Sequence, residues 1–210
     1  MSTMPRTSTR QTAGRRRTSS DRRDDILRRL GEVIVAEGFS SLTIEEMAAQ
    51  LQCSRSTLYA AAPSREQLIV KTVKHELGTR TARIDERAAQ ANGVEDRIVT
   101  YITTARDELA SVSRACYDDI RAFEPTDEIF RRTARSLADG IRVRIQEGVD
   151  EGVFGPVHAE FISVAVGVLI EAILDGEFQD RIGMPDSDAY TELVALVRAA
   201  LAGGAPVRKR

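Results

Sequence analysis

The residues best suited to bind a partner lie on the second of two short helical segments predicted within residues 43–59. Leu58 faces the interior of that segment, and the side chains left on or near its outer side are Arg55, Ser56, Thr57 and Tyr59. They supply a guanidinium and three hydroxyl groups, which can hydrogen-bond to the phosphates and base edges of DNA. The pattern indicates a nucleic-acid-binding surface.

Two short helices joined by a turn at residues 51–53 form a helix-turn-helix. In this motif the second helix can lie in the major groove while the first supports it. The first helix is predicted to begin with a capping box, in which Thr43 and Glu46 bond to each other's backbone amides. Ala48 is small enough for the second helix to cross closely, and Ser54 can cap that second helix.

Helical periodicity continues on both sides of the motif. The preceding helix is predicted to start at Ser20 or Asp21 and to end at Gly38. Pro63 ends the second helix of the motif, and a long helix follows over 64–88. Breaks at glycine and proline then separate five further predicted helices, at 94–111, 113–123, 126–150, 157–179 and 187–202.

The sequence therefore predicts an all-α protein of about nine helices. Residues 1–20 are interpreted as a flexible basic arm, or as a leader that only adds solubility. Residues 21–80 form a predicted DNA-binding domain, with the helix-turn-helix at 43–62, and residues 81–210 a larger helical domain for ligand binding and dimerisation. The formal charge is +5 over residues 1–80 and −7 over the rest, which is typical of a polyanion-binding module attached to another unit.

Composition argues against several classes of protein. The longest nearly apolar run, residues 161–170, is too short to cross a bilayer. The amino-terminal segment contains five arginines before Asp21 and no apolar stretch, unlike a secretory signal. Cys53 and Cys116 are interpreted as reduced thiols of a cytoplasmic protein. With only two histidines, no metal site and no cofactor are predicted.

The motifs that common enzyme classes need are missing from the sequence. It has no phosphate-binding glycine loop, nucleophile elbow, His-Glu-x-x-His pair or dinucleotide fingerprint. The acidic pairs Asp24-Asp25 and Asp118-Asp119 are sequence neighbours, so on a helix their side chains diverge by about 100° and form no acid–base pair. We therefore expect a protein that is not an enzyme.

Over residues 23–68 the sequence resembles the TetR (tetracycline-repressor) family of bacterial transcriptional regulators. The segments that carry the resemblance are Ile26-Leu27, Ala36-Glu37-Gly38-Phe39, Thr43-Ile44-Glu45-Glu46-Met47-Ala48, Ser54-Arg55-Ser56-Thr57-Leu58-Tyr59 and Pro63-Ser64-Arg65-Glu66-Gln67-Leu68. Their order and spacing make the match specific over about a quarter of the chain. A fainter similarity at residues 148–154 matches the end of a penultimate ligand-domain helix in that family.

The resemblance implies a role for each matching residue of the motif. Thr43 is expected to contact phosphate, and Tyr59 to contact the DNA backbone. Ser54 is counted among the DNA-contacting residues, and the expected base readers are Arg55, Ser56 and Thr57. Arg65, where the family usually has lysine, is expected to bond phosphate, with a planar donor fork that lysine lacks.

The sequence departs from the family pattern at two places. Gln52 stands where the turn usually has glycine, so a non-glycine residue is expected to take a positive φ at a cost on the order of 1 kcal/mol. Alanines at 60–62 replace aromatic and histidine positions, which removes two phosphate contacts and one packing ring. We hypothesise that basic residues compensate through counterion release or by reaching into the minor groove. These residues are Arg15, Arg16, Arg17, Arg22 and Arg23.

The last two predicted helices indicate an assembly. Segment 157–179 is apolar nearly all round and needs burial on two sides, and segment 187–202 carries one apolar stripe. With their symmetry mates they would form the four-helix dimer interface that the resemblance implies, although both could instead close a monomer core. The predicted interface residues are Phe161, Val164, Val168, Tyr190, Leu193, Val197 and Leu201. A homodimer could read two half-sites of a palindromic operator, roughly 34–36 Å apart.

A small-molecule effector among the helices of residues 94–179 could tilt helix 64–88 and change the separation of the two recognition helices. The candidate pocket residues, each of which also fits ordinary core packing, are Tyr101, Cys116, Tyr117, Phe123 and Phe130. The sequence thus favours a ligand-responsive DNA-binding regulator, a repressor rather than an activator because the family mostly occludes promoters. Two alternatives stay open: an interaction module whose helix-turn-helix no longer reads DNA, and an architectural binder that tolerates any sequence.

Overall fold

The computed structural model describes residues 19–155 and 157–202, which form ten helices and no strand. The helices are α1 (Ser19–Glu37), α2 (Ile44–Gln50), α3 (Arg55–Ala61), α4 (Arg65–Ala89), α5 (Val94–Ala110), α6 (Arg114–Ala122), α7 (Glu124–Asp150), α8 (Ala159–Leu174), α9 (Glu177–Ile182) and α10 (Asp186–Ala202). The all-α prediction is confirmed for these residues. Of the predicted arm, Arg15, Arg16 and Arg17 lie outside the described residues, whereas α1 already begins at Ser19.

Side-chain caps set where the short helices begin. Thr43 Oγ1 accepts a hydrogen bond from the Glu46 amide at 3.2 Å, and Glu46 Oε2 accepts one from the Thr43 amide at 2.7 Å. The predicted capping box is therefore confirmed. Ser54 and Ser64 cap α3 and α4 by accepting from the amide three residues further on, and each cap satisfies one amide that has no partner within its helix.

The turn between α2 and α3 has the left-handed residue that the sequence predicts. Gln52 has a φ of 51°. Its amide donates to the Ala49 carbonyl at 3.0 Å, and the Cys53 amide donates to the Ala48 carbonyl at 2.9 Å. These two bonds form a Schellman motif, which usually has glycine at the left-handed position. A non-glycine residue there costs on the order of 1 kcal/mol.

Two hydrophobic cores lie along α4. The first joins α1, α2 and α3 to the amino-terminal half of α4, to α6 and to the start of α7, and it fully buries Leu30, Met47 and Leu58. The second joins the carboxyl-terminal half of α4 to α5, α7, α8 and α10, around Ile98 and Ile145. The helix α4 thus belongs to both cores, and α6, from the predicted larger domain, packs with the helix-turn-helix.

The predicted helix over 157–179 is wrong in its length, because the chain breaks at Gly176. Helix α8 ends at Leu174, and Gly176 takes a left-handed φ of 80° before the short α9 begins. Glycine adopts this conformation without the steric penalty of other residues. The break adds one helix to the predicted nine.

The apolar stripe predicted on the last helix faces the protein's own core rather than a second copy. Its members, which are only 2 to 4% exposed, are Tyr190, Leu193, Val197 and Leu201. They pack in the second core, where α10 lies against α5 and α8. Side chains this buried within one chain have almost no surface left for a partner, so their assignment to a dimer interface is corrected.

The structure also bears on membranes, metals and disulfides within the described residues. No helix among them is both long enough and apolar enough to pass through a bilayer. Over the same ranges, no three His, Cys, Asp or Glu side chains are grouped as ligands of a metal ion would be. Cys53 and Cys116 are both free thiols.

Gly148 near the end of α7 allows an aromatic ring to pack directly on the helix backbone. The amides of Val153 and Phe154 donate to the Gly148 carbonyl at 2.9 and 3.1 Å, which turns the chain back on itself. A Cβ atom at position 148 would overlap the buried Phe154 ring and would stand 2.6 Å from Cγ1 of Val94. The close contact of the ring, rather than an unusual backbone angle, requires glycine here.

We expect Gly148→Ala to lower the free energy of unfolding by about 1–3 kcal/mol, because the added methyl group overpacks the core. Gly78→Ala is the matched control, since Gly78 lies inside α4 and a Cβ there meets nothing within 4 Å. That substitution should raise the free energy of unfolding by roughly 0.4–1 kcal/mol. Urea unfolding followed by circular dichroism measures both changes, and equal effects would contradict the packing argument.

Candidate nucleic-acid interface

Helices α2 and α3 bury their apolar sides in the first core and leave the polar side of α3 outside. Met47, Leu51 and Leu58 are at most 2% exposed. The side chains predicted to read or contact DNA are exposed: Arg55, Ser56, Thr57 and Tyr59, the last with half of its surface open. The structure therefore places all four on the solvent-facing surface of α3.

Three hydroxyl groups form a cluster at the start of α3. Ser54 Oγ lies 2.7 Å from Ser56 Oγ and 2.8 Å from Thr57 Oγ1. A hydroxyl group can donate and accept at the same time. The hydroxyl groups of Ser56 and Thr57 can thus leave Ser54 and bond to phosphate or to a base instead. Ser54 meanwhile keeps its cap on the Thr57 amide at 3.2 Å.

The alanines at 60–62 differ from one another in how deeply they are buried. Ala61 and Ala62 are 4% and 2% exposed and belong to the first core, whereas Ala60 is exposed. A larger side chain at position 61 or 62 would extend into the protein rather than towards a ligand of α3. The loss of phosphate contacts inferred from these three residues therefore applies at most to Ala60.

Arg55 is linked to α2 by an ion pair. Its Nη1 donates to Glu45 Oε1 at 2.7 Å, and the two side chains are 65% and 64% exposed. The hydrogen bond from Arg55 lowers the pKa of Glu45 below its usual value. The carboxylate is therefore charged at neutral pH and lies at the surface that is predicted to face DNA.

Thr43 is exposed, as a phosphate-contacting residue must be, but its hydroxyl already has a partner. It donates to Glu46 Oε2 at 2.7 Å. The bonds from the Thr43 amide and hydroxyl lower the pKa of Glu46, which keeps that carboxylate ionised. A phosphate bound at Thr43 would therefore compete with the capping box for this hydroxyl.

Arg65 is turned towards the protein. Its Nε donates to the Leu42 carbonyl at 2.6 Å, and its Nη2 donates to the carbonyls of Phe39 and Ser40 at 2.6 and 3.1 Å. The resemblance implied a phosphate contact, yet the structure commits this side chain to three carbonyl groups of the loop between α1 and α2. The planar fork of arginine makes this arrangement possible, since a lysine presents only a single nitrogen.

Two further cations bind carbonyl groups at the ends of the motif. Arg29 of α1 donates from Nη2 to the carbonyl of Leu51, just after α2, at 2.5 Å. Lys71 of α4 donates from Nζ to the carbonyl of Ala61, the last residue of α3, at 3.0 Å. Both carbonyls lie at helix C-termini, where the helix dipole favours positive charge. Sequence reasoning missed both residues, whose only signal was a basic side chain within an apolar periodic segment.

Basic residues of α1 and α4, together with the acidic Asp24, lie on the helices that pack with the motif. Arg22 and Arg23, the described part of the predicted arginine set, are exposed near the start of α1. Arg23 lines an open groove of about 570 Å³ between α1 and α4, together with Lys71 and Lys74. The two lysines recur at helical spacing, which is the sequence signal that could have identified them.

Asp119 of α6 binds backbone amides of the same loop that Arg65 holds by its carbonyls. Its Oδ2 accepts hydrogen bonds from the amides of Phe39 and Ser40 at 2.5 and 2.8 Å. Burial alone raises the pKa of Asp119, but these amide bonds outweigh it and hold the pKa below its usual range. Gly38 must be glycine for this contact, because it has a φ of 82° and a Cβ there would stand 2.6 Å from Asp119 Oδ2.

The same helix is hydrogen-bonded to the end of α8. Tyr117 Oη donates to Asp175 Oδ1 at 2.6 Å, and Arg114 Nη1 donates to the Leu174 carbonyl at 3.0 Å. At the start of α6, the Ser113 amide donates to the Val35 carbonyl of α1 at 2.9 Å. Helix α6 therefore connects α1 and the loop before α2 to the end of α8.

The five predicted pocket residues do not come together. Tyr101 lies in the second core, with the Arg144 guanidinium 4.1 Å from the centre of its ring. The other four belong to the first core or pack against it: Cys116, Tyr117, Phe123 and Phe130. The rings of Tyr117 and Phe130 meet edge to face with their centres 5.7 Å apart. At most these four could share one ligand.

Cys116 is poorly suited to sense electrophiles or oxidants. Burial raises the pKa of its thiol to about 12, and the neighbouring Asp119 carboxylate acts in the same direction. The thiolate is the reactive form of cysteine. At neutral pH this side chain therefore behaves as a small apolar residue of the core.

No protein-family model and no curated protein matches this sequence. Solved structures, however, match over most of the chain. A TetR transcription regulator from Haloarcula marismortui ATCC 43049 superposes with a TM-score of 0.71 at 18% identity, over 87% of this chain and 99% of its own. Escherichia coli NemR in its reduced form superposes with a TM-score of 0.69 at 15% identity, over 86% of this chain and 98% of its own. This chain has the TetR-type fold.

A third solved structure of similar fold contains a bound small molecule. It is a putative transcriptional regulator from Saccharomonospora viridis in complex with choline. It superposes with a TM-score of 0.68 at 16% identity, over 86% of this chain and 97% of its own. The architecture that the sequence resemblance implied is thus confirmed at the level of the fold.

The bonds of Arg65 lead to a prediction about this TetR-type fold. We expect Arg65→Lys to lower the free energy of unfolding by about 1–3 kcal/mol, because lysine keeps the charge but cannot hold three carbonyl groups. Arg87→Lys, on an exposed part of α4, is the control and should leave stability unchanged. Urea unfolding measures both. Unchanged stability together with weaker DNA binding in Arg65→Lys would instead assign Arg65 to phosphate.

Proposed function

We propose that this protein is a homodimeric transcriptional regulator of the TetR family, which occupies a palindromic DNA operator as a repressor and leaves it when a small-molecule effector binds. The observation that carries the proposal is the exposed polar surface of α3. That surface stands on a helix-turn-helix whose other sides are buried in the first core and whose carbonyl groups accept hydrogen bonds from α1 and α4.

The chemistry of the α3 surface supports sequence-specific binding. Arg55 can offer two N–H groups to guanine, the commonest specific contact in the major groove. Tyr59 is half exposed and can donate its hydroxyl to a phosphate. Arg23 and Lys74 add positive charge on the flank of the motif, which favours association with a polyanion.

A surface on α8 and α10 supports the homodimer. Phe161, Val164 and Val168 recur at helical spacing on α8 and are 57 to 70% exposed. Leu196 is also exposed, on α10, which packs beside α8. An apolar patch of this kind marks an interface, and a twofold axis lets the same patch on a second copy cover it. Two copies would then present two α3 helices to two half-sites.

Helix α6 supports a response to an effector. A molecule that binds against α6 and α8, and displaces α6, would pull on Asp119 and therefore on the loop of residues 39–42 that precedes α2. Such an effector needs only to favour the displaced arrangement over the present one. The choline complex of the Saccharomonospora viridis neighbour lends support to a small-molecule effector, and its chemical class in this protein is left open.

Selection from a pool of random duplexes tests the DNA-binding proposal. The purified protein should enrich a palindrome, and Arg55→Ala should weaken binding to it by roughly 5- to 150-fold, the worth of one bidentate base contact. Tyr59→Ala should weaken binding to all duplexes alike, as expected for a phosphate contact. Arg87→Ala serves as the control, because it removes an exposed charge that lies on α4 rather than on α3. Equal affinity for every duplex would favour the architectural binder instead.

Analytical ultracentrifugation tests the homodimer. The wild type should sediment at twice the 23.1 kDa chain mass, and Val168→Glu should sediment as a single subunit because a carboxylate would be buried in the apolar patch. Val153→Glu is the matched control, since Val153 is an exposed valine outside α8, and it should remain dimeric. A wild type that sediments as a single subunit would contradict the proposal.

A further inference from the structure

The pair formed by Glu45 and Arg55 joins the two helices of the motif at its exposed surface. Among the described residues it is the only ion pair between α2 and α3. Arg55 is the first residue of α3, and Glu45 is the second residue of α2. The ends of both helices are fixed by side-chain caps, so the two Cα positions are set by the backbone rather than by the pair itself.

Fold stability does not account for this pair. Both side chains are about two-thirds exposed, at 65% and 64%, and ion pairs of that kind contribute little to folding. The capping of α2 does not need Glu45 either, because Glu46 provides the carboxylate of the capping box. The pair therefore has its main effect on whatever approaches the surface of α3.

The geometry leaves part of the guanidinium available. Glu45 holds Nη1 at 2.7 Å, while Nε and Nη2 have no acceptor among the described residues. A guanine is read by two N–H groups of one guanidinium that point in a common direction. Fixing one nitrogen restricts the rotation of a long side chain before DNA arrives, so less conformational entropy is lost when the base contact forms.

The charge of Glu45 acts on non-operator DNA as well. The carboxylate is exposed beside Arg55 on the surface that is proposed to face DNA, so it repels the DNA backbone wherever the protein binds. On an operator the correctly placed guanine offsets that repulsion, and on random sequence nothing does. An unfavourable group of this kind sharpens discrimination by weakening the wrong complexes.

We propose that Glu45 is a positioning and specificity-determining residue: it holds the Arg55 guanidinium ready for one base pair of each half-site and disfavours duplexes that lack that base pair. This inference rests on the proposed function, because it assumes that α3 enters the major groove. It adds to the resemblance-based set of DNA contacts a residue of α2 that touches no base itself.

The test compares the operator selected by the wild type, its single-base variants and a random duplex, each with five proteins and one further control variant. These are the wild type, Glu45→Ala, Glu45→Gln, Arg55→Ala and the double variant Glu45→Ala with Arg55→Ala. Glu86→Ala is the matched charge control, since Glu86 is exposed on α4 and about 30 Å along that helix from its first residue. Thermal unfolding of each variant checks that all are folded.

We expect Glu45→Ala to lower discrimination at one base pair of the half-site by roughly twofold to tenfold, the effect of leaving one long side chain unordered. It should also raise the affinity for random duplex by roughly twofold, as expected when one like-charge repulsion in water is removed. Glu45→Gln keeps a hydrogen-bond acceptor but not the charge, so it should raise random binding while retaining more of the discrimination. In the Arg55→Ala background, Glu45→Ala should no longer change discrimination.

Each contrary result has a distinct meaning. If Glu45→Ala keeps the wild-type discrimination, or lowers it equally when Arg55 is already alanine, Glu45 does not act through Arg55 and the inference is wrong. The same holds if Glu86→Ala reproduces the effects of Glu45→Ala. If the wild type selects no operator at all, the proposed function itself fails, and that outcome is visible before any variant is measured.

Discussion

The helix-turn-helix depends on cationic side chains that bind its carbonyl groups. Arg29 holds the carbonyl that follows α2, Lys71 holds the last carbonyl of α3, and Arg65 holds three carbonyls in the loop before α2. Helices of seven residues have too few internal bonds to be stable alone. Because the three cations come from α1 and α4, the orientation of the exposed surface of α3 is set by these two helices rather than by α2 and α3 themselves.

The predicted domain boundary at residue 80 does not coincide with the boundary between the two hydrophobic cores. Helix α6 follows the predicted boundary at residue 80, yet its buried side packs with the helix-turn-helix, and its polar side chains bind both the loop of residues 39–42 and the end of α8. Helix α4 passes through both cores. The predicted domain boundary therefore does not separate the two cores, and hydrogen bonds of α6 join the end of α8 to the loop that precedes α2.

Local signals made much of the fold predictable. The capping box at Thr43 and the exposure of Arg55 follow from spacing and residue type, because each depends on neighbours a few positions away. The positive φ of Gln52 follows from the family resemblance, which implies glycine at that position of the turn. What failed depended on distant partners. The stripe on α10 looks the same whether it faces its own core or a second chain. The bonds of Arg65, whose phosphate contact stays a prediction, could not be foreseen either, because its carbonyl partners lie in a loop more than twenty residues earlier in the sequence. The scattering of the pocket candidates over two cores has the same origin.

The lowered pKa of Asp119 determines whether a change of pH can break its bonds to the loop of residues 39–42. A carboxyl group whose pKa is lowered by folding stabilises the folded form at pH values above its unfolded pKa, and this contribution is lost only as the pH falls through the lowered value. Across the physiological range the carboxylate keeps its charge and both amide partners. The hydrogen bonds between α6 and the loop are thus insensitive to pH across that range.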